Sequence, residues 1–185
     1  MIEICKTFFG NRVKLIKLKK FVDKRGYFIE NFNVRELKDI GISTKFVQDN
    51  ESLSINKGTI RGLHFQKKPM QQAKLISVKK GSIFDVFVDL NKNSKTYGMH
   101  KKIILKSIDN YLLYIPFNFA HGFCTLEKNT IVNYKISNYY SPDHEITLDY
   151  NDQTLNISWP KFNNSKFISK KDKNGKKFIK LSKNL

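Results

Sequence analysis

The chain has 185 residues, 40% of them hydrophobic and 13% aromatic, a composition that fits one globular domain and excludes a disordered chain. No run approaches 18 uninterrupted apolar residues, so no transmembrane helix is expected. The formal charge is +18, yet residues 161–185 hold nine lysines against one acidic residue and supply +8 of it, so the charge reads as a basic C-terminal segment and not as a nucleic-acid interface.

The first twenty residues, MIEICKTFFGNRVKLIKLKK, lack the charged start, apolar core and small-residue cleavage site of a secretory signal. FVDKRGYFIENFN (21–33) alternates apolar positions around Gly26 and predicts a strand or hairpin. VRELKDIGI (34–42) predicts a short helix stopped by Gly41. From Phe46 onward strand signals dominate. AKLISVKKGSIFDVFVDL divides into two strands around Lys80–Gly81, and HKKIILK, NYLLYIP, HGFCTL and TIVNYKIS follow at short spacing. Short strands separated by turn residues predict a single, mainly β domain spanning 1–185: a sandwich, jelly roll or barrel with its core over about 20–160 and a few helical turns at the two ends. Cys5 and Cys124 stand far apart and make no disulfide framework, so a reducing, cytoplasmic setting is expected.

Successive strand residues point to opposite faces. Lys74 shares a face with Ile76 and Val78, and Tyr134 with Val132 and Ile136, so both polar groups are directed toward an apolar interior. In GTIRGLHFQ (58–66), Arg61 and His64 differ in parity and a regular strand would send them to opposite faces. A bulge at Gly62 would bring them together, and glycine inside a strand often marks one.

Of the four histidines, His100 precedes two lysines and reads as a solvated strand start, and His144, in SPDHE, as a turn residue. His64 and His121 lie in apolar strand-like runs. A metal site of the cupin type needs a His-x-His pair, a glutamate and a further histidine. Here GLHFQ and IPFNFAHGF offer one histidine each, with no carboxylate at a useful spacing, and no metal is expected. Acid–base chemistry fits better. Histidine titrates near neutral pH, tyrosine can deliver a proton from the other side of a substrate, a buried lysine can stabilise an enolate oxygen, and arginine binds phosphate. The bland reading of the same residues is a core tyrosine and a snorkelling lysine.

The blocks DKRGYFIENF, FVQDNESLSINKGTIRGLHFQ, QQAKLISVKKGSIFDVFVDLNKNSKTYG, YIPFNFAHGF, NYKISNYYSPDHE and LNISWP run in order from about Asp23 to Pro160, followed by ISKKD. In these the chain resembles the dTDP-4-dehydrorhamnose 3,5-epimerase family of nucleotide-sugar epimerases. The resemblance implies a cupin-like jelly-roll barrel, a homodimer and no cofactor. It makes His64 the catalytic base and Asp172 the carboxylate that orients and polarises it. Tyr134 becomes the acid that reprotonates the opposite face. Lys74 and Arg61 fall near the sugar keto oxygen and the diphosphate, and Gln48, Asn50, His121 and Tyr140 also line the site. Arg25, Phe28 and Glu30 correspond to nucleotide-binding residues that reach into the partner subunit's site. PFNFAHGF departs from the family by carrying Asn118 where glycine is common.

The substrate so implied is a nucleotide-diphospho-4-keto-6-deoxy sugar, a dTDP-linked hexose or a GDP-linked heptose, inverted at C3, C5 or both for a surface polysaccharide. The C4 ketone acidifies the neighbouring C–H bonds, His64 removes a proton, cationic groups hold the enolate, and Tyr134 returns a proton from the far side. The alternative is a non-catalytic sugar-nucleotide-binding cupin, or a keto-isomerase of the same fold. Neither nucleic acid nor membrane is an expected partner.

Overall fold

The computed structural model describes residues 2–162 and 167–179. Fourteen strands are present in these residues: β1 (Ile2–Phe8), β2 (Val13–Leu18), β3 (Lys20–Asp23), β4 (Gly26–Ile29), β5 (Gln48–Ser54), β6 (Thr59–Gln66), β7 (Lys74–Lys80), β8 (Ser82–Asp89), β9 (His100–Lys106), β10 (Tyr111–Ile115), β11 (Phe119–Thr125), β12 (Thr130–Ile136), β13 (Glu145–Thr147) and β14 (Phe167–Ile168). Two short helices, α1 (Val34–Asp39) and α2 (Lys170–Lys173), lie near the ends of the described chain.

One sheet runs β1-β2-β10-β7-β12-β5 and the other β13-β6-β11-β8-β9, with β14 added in parallel along the start of β6. The sheets form an open jelly-roll sandwich of the cupin kind. β3 and β4 pair separately as the expected hairpin.

Three apolar layers follow from strand alternation. Between the sheets lie Leu15, Ile76, Leu113 and Val132 from the first and Ile83, Phe87, Phe119 and Phe123 from the second. Phe87, fully buried, contributes about 1.5–3 kcal/mol by leaving water. The outer face of the first sheet (Ile16, Leu18, Leu75, Leu112) is covered by Leu37 of α1 and by Ile42. The outer face of the second (Ile60, Leu63, Val86, Val88, Ala120) is covered by the C-terminal third of the chain through Leu148, Leu155, Trp159 and Phe178.

Two expectations change. The core does not start near residue 20, because β1 and β2 belong to the first sheet and Val13, Leu15, Ile16 and Leu18 are buried. Nor does it stop at 160, since Phe178 of the basic segment is 7% exposed. His100 opens β9 but is half-buried, and burial followed by the charges of Lys102 and Lys101 pushes its imidazole below the ordinary histidine value. His144 does sit in a turn, its Nδ1 2.7 Å from Ser141 Oγ. α1 ends as expected before Gly41, which has φ +77°. Asn118 has φ +65°, a left-handed conformation that asparagine tolerates where glycine is usual.

Candidate active site

β6 departs from a regular strand at Gly62. Opposite it on β11, His121 pairs with His64 and Phe123 with Arg61, so Gly62 and Leu63 together face the single residue Gly122. This is a β-bulge. It reverses the side-chain phase: Ile60, Leu63 and Phe65 all enter the outer core, while Arg61 and His64 both line the cleft between the sheets. The glycines make the bulge possible. Gly62 has φ +117°, and a Cβ on it would stand 2.5 Å from Gly122 Cα and 2.8 Å from the His121 carbonyl oxygen.

The cleft has a volume of about 1170 Å³. One end of it has two walls. On the second sheet, His64 Nε2 is 2.6 Å from Asp172 Oδ1, and the backbone N–H of Gly62 donates to Asp172 Oδ2 at 3.3 Å. Asp172, 3% exposed, lies on α2, whose N-cap Ser169 accepts from the Asp172 N–H through its hydroxyl. Burial works against the Asp172 carboxylate, but the bonds from His64 and Gly62 and the charges of His64 and Lys171 outweigh it and hold the group below its ordinary value. An ionised Asp172 makes Nε2 the protonated nitrogen of His64 and leaves the lone pair on Nδ1.

On the first sheet, Tyr134 of β12 faces the same cleft. Burial raises its phenol above the usual value, with the charge of Arg61 opposing. Beside it Lys74 of β7 is buried, and desolvation brings its ammonium down to about 8 even though Asp85 and Glu145 pull the other way. Arg61 is held by its Nε–H to Ser54 Oγ at 3.1 Å and by a second donor to the Leu53 carbonyl at 3.0 Å.

His121 forms a second, deeper pair with Asp85, Nε2 to Oδ2 at 2.8 Å. Burial raises Asp85 and lowers His121, each toward its neutral form, and among the described residues Asp85 Oδ1 has no hydrogen-bond partner. At the mouth, Gln48 accepts from the Tyr140 N–H at 3.2 Å and donates to Asn50 at 2.8 Å. The Tyr140 hydroxyl donates to Glu145 Oε2 at 2.9 Å, and Lys171 Nζ donates to the same oxygen at 2.8 Å.

Nine of the twelve sequence-derived site residues therefore meet in one cleft. Arg25, Phe28 and Glu30 do not line it. They belong to the β3–β4 hairpin and its exit, where Arg25 binds Asp23 at 2.6 Å and Glu30 accepts from Asn33 at 3.0 Å. Asp85, Glu145 and Lys171 were not singled out from sequence. A carboxylate in the middle of the apolar run IFDVFV, in phase with Ile83 and Phe87, is a readable signal for Asp85. Glu145 and Lys171 look like surface residues and carry none. Among the described residues, no group of three or more His, Cys, Asp or Glu is arranged to hold a metal ion, and no helix is long and apolar enough to cross a membrane.

Fold and cleft place the chain among the jelly-roll carbohydrate epimerases. The family model for dTDP-4-dehydrorhamnose 3,5-epimerase matches residues 11–180. The dTDP-4-dehydrorhamnose 3,5-epimerase of Sinorhizobium fredii is 42% identical over 160 residues, 86% of this chain and 82% of its own length. That of Methanothermobacter thermautotrophicus is 43% identical over 164 residues, 88% and 87%. The crystal structure of the Bacillus anthracis enzyme with TDP and PPi bound superposes with a TM-score of 0.92 at 44% identity, covering 96% of this chain and 100% of the other. The Legionella pneumophila epimerase in complex with dTDP-4-keto-L-rhamnose gives 0.89 at 38% identity, covering 96% and 93%. The chain belongs to the dTDP-4-dehydrorhamnose 3,5-epimerase family and is an epimerase.

Proposed function

We propose that the protein inverts C3 and C5 of a dTDP-linked 4-keto-6-deoxyhexose by proton transfer through an enolate. His64 Nδ1 takes the proton from carbon, while Asp172 fixes the tautomer. The negative charge that develops on the C4 oxygen is met by the Lys74 ammonium, whose burial makes such a charge count more than it would in water. Tyr134, on the other wall, returns a proton to the opposite face. Arg61 takes the diphosphate. The observation that carries this reading is the placement of the His64–Asp172 pair on one sheet and Tyr134 on the other, both lining one cleft. The dTDP and 4-keto-rhamnose ligands of the relatives support a dTDP-hexose over a GDP-heptose.

The reading includes a homodimer in which Arg25, Phe28 and Glu30 complete a second copy's nucleotide site. It is supported by the hairpin, where Val22, Tyr27 and Phe28 are exposed by 74%, 66% and 67%. It also includes a cytoplasmic role in making a surface polysaccharide.

The test is solvent exchange. In heavy water with a dTDP-4-keto-6-deoxyhexose, the protein incorporates deuterium at C3 and C5, and His64→Ala abolishes incorporation with the fold intact. Exchange at the wild-type rate in that variant overturns the base assignment, and binding without exchange in the wild type favours the non-catalytic cupin.

A further inference from the structure

Asp172 reaches His64 from 108 residues away in sequence, on a helix of four residues that has no stability of its own. Something else must hold that carboxylate to within a fraction of an ångström. The segment 167–178 runs as a strap along the free edge of β6 beside β13, lining the cleft as far as Lys173 before Phe178 enters the outer core. Its start is β14, paired with β6 at Thr59 and Ile60. After α2, Gly175 lies flat on the backbone of Leu148 and Asp149, where an added Cβ would be only 2.5 Å from the Asp149 nitrogen. The Lys176 N–H donates to the Thr147 carbonyl at 2.8 Å, and the Asp149 N–H to the Lys176 carbonyl at 2.9 Å. Thr147 is itself the β13 residue paired with His64.

The strap is pinned by Phe178. Its ring is buried in the outer core and stacks obliquely on Tyr97, centroids 5.3 Å apart. Its N–H donates at 2.8 Å to Oδ2 of Asp152, which is 3% exposed. The other oxygen of Asp152 caps the N–H groups of Thr154 and Leu155 at 2.8 and 3.0 Å. A handful of exchangeable backbone bonds gives little net hold in water, whereas a buried phenyl group does.

We infer that Phe178 and Asp152 are positioning residues of the reaction, fixing the strap so that Asp172 stays bonded to His64. The inference rests on the reading that Asp172 orients the base. Catalysis is sensitive to displacements of this kind, since about 1 Å of misplacement caused at a distance can cost about 10²-fold.

The experiment compares Phe178→Ala, Phe178→Leu, Asp152→Asn and Asp172→Ala in the full chain, with a dTDP-4-keto-6-deoxyhexose as substrate. It reads kcat, KM and the downfield proton resonance of the His64 ring N–H bonded to Asp172. Asp152→Asn keeps one oxygen for the two caps and turns an amide N–H toward Phe178. Phe178→Ala is expected to lower kcat at least tenfold toward the Asp172→Ala value, with KM within threefold and the resonance lost. Phe178→Leu, which refills most of the space, recovers both, and Asp152→Asn lowers kcat about threefold. If Phe178→Ala does not fold, Asp152→Asn decides alone. Wild-type kcat and resonance in Phe178→Ala and Asp152→Asn, alongside a large loss in Asp172→Ala, overturn the inference. Wild-type kcat in Asp172→Ala overturns the reading of the His64–Asp172 pair itself.

Discussion

Lys74, on the first sheet, donates from Nζ to the backbone carbonyl of His64 on the second, at 3.2 Å. The bond ties together the two walls of the cleft. Among the described residues it leaves two of the three ammonium protons for a ligand, beside the strand that carries His64. A cation so placed is fixed before the substrate arrives, which is the condition for stabilising a developing oxyanion without reorganisation.

The pH dependence of this lysine has a definite sign. Its ammonium loses a proton at about 8 in the folded chain because of burial, against 10.5 ordinarily. The positive charge that the proposed mechanism uses is present below about 8 and lost above it. The pH–rate profile of the wild type therefore falls on the alkaline side near 8, and Lys74→Met, slower throughout, lacks that limb. Between about 8 and 10.5 the unfolded chain binds the proton and the folded chain does not, so Lys74 becomes less costly to bury as pH rises. Chemical denaturation is expected to find Lys74→Met more stable than wild type at pH 7, by a margin of order 3 kcal/mol that shrinks across this window. A constant margin from pH 7 to 10.5 contradicts the assignment.

Tyr134→Phe removes one hydroxyl and little else, because among the described residues no side-chain hydrogen bond orders its neighbours through it. Inversion should slow by roughly 10²-fold while deuterium uptake by the retained stereoisomer changes far less. Measured by NMR on recovered substrate and product, equal losses in both would assign Tyr134 another role.

Gly122→Ala is expected to damage fold and activity together. Its Cβ would lie 2.7 Å from the Arg61 carbonyl oxygen and 3.0 Å from Gly62 Cα, both backbone atoms that cannot swing aside. A loss of about 2–4 kcal/mol is anticipated in thermal unfolding. A variant with unchanged melting would show that the two strands can separate at the bulge at no cost.

Arg12 and Asp89 fasten the loop after β8 far from the cleft. Arg12 donates to both carboxylate oxygens, at 3.2 and 2.6 Å, with Asp89 fully buried. Burial raises Asp89, but Arg12, Thr96, the Asn91 N–H and Ser94 together hold it below its ordinary value. A depressed carboxylate stabilises the fold above its unfolded value of about 3.8 and ceases to do so as pH falls through the lower folded one. Arg12→Met is expected to cost about 3 kcal/mol at pH 7, the gap to wild type narrowing below pH 4. Urea midpoints at pH 7 and 3 check it.

Strand phase was legible wherever the strand is regular. It turned Lys74 and Tyr134 inward, and both line the cleft. It failed for Arg61 and His64 until a bulge was allowed at Gly62, because period two carries no memory of an inserted residue. β1 and β2 carry a weak period-two signal: a register shift between Ile4 and Lys6 breaks the alternation of β1, and in β2 the adjacent Leu15 and Ile16 are both apolar because both faces of that strand are covered. Asp172 was reachable only by resemblance. It sits in a lysine-rich tail, and no local property of SKKD reports a contact with residue 64. Glu145 and Lys171 met the same limit, being charged residues whose partners are set by the crossing of distant segments. Arg25, Phe28 and Glu30 were read as nucleotide ligands, and a single chain leaves them on an exposed hairpin.

The paired glycines at 62 and 122 bear on any attempt to move this chemistry elsewhere. A designer who grafts Arg61 and His64 onto an ideal strand of another scaffold would place them on opposite sides of the new sheet. The transferable unit is the kinked strand with its side-chain-free neighbour, and an alignment that matches only the arginine and the histidine would miss it.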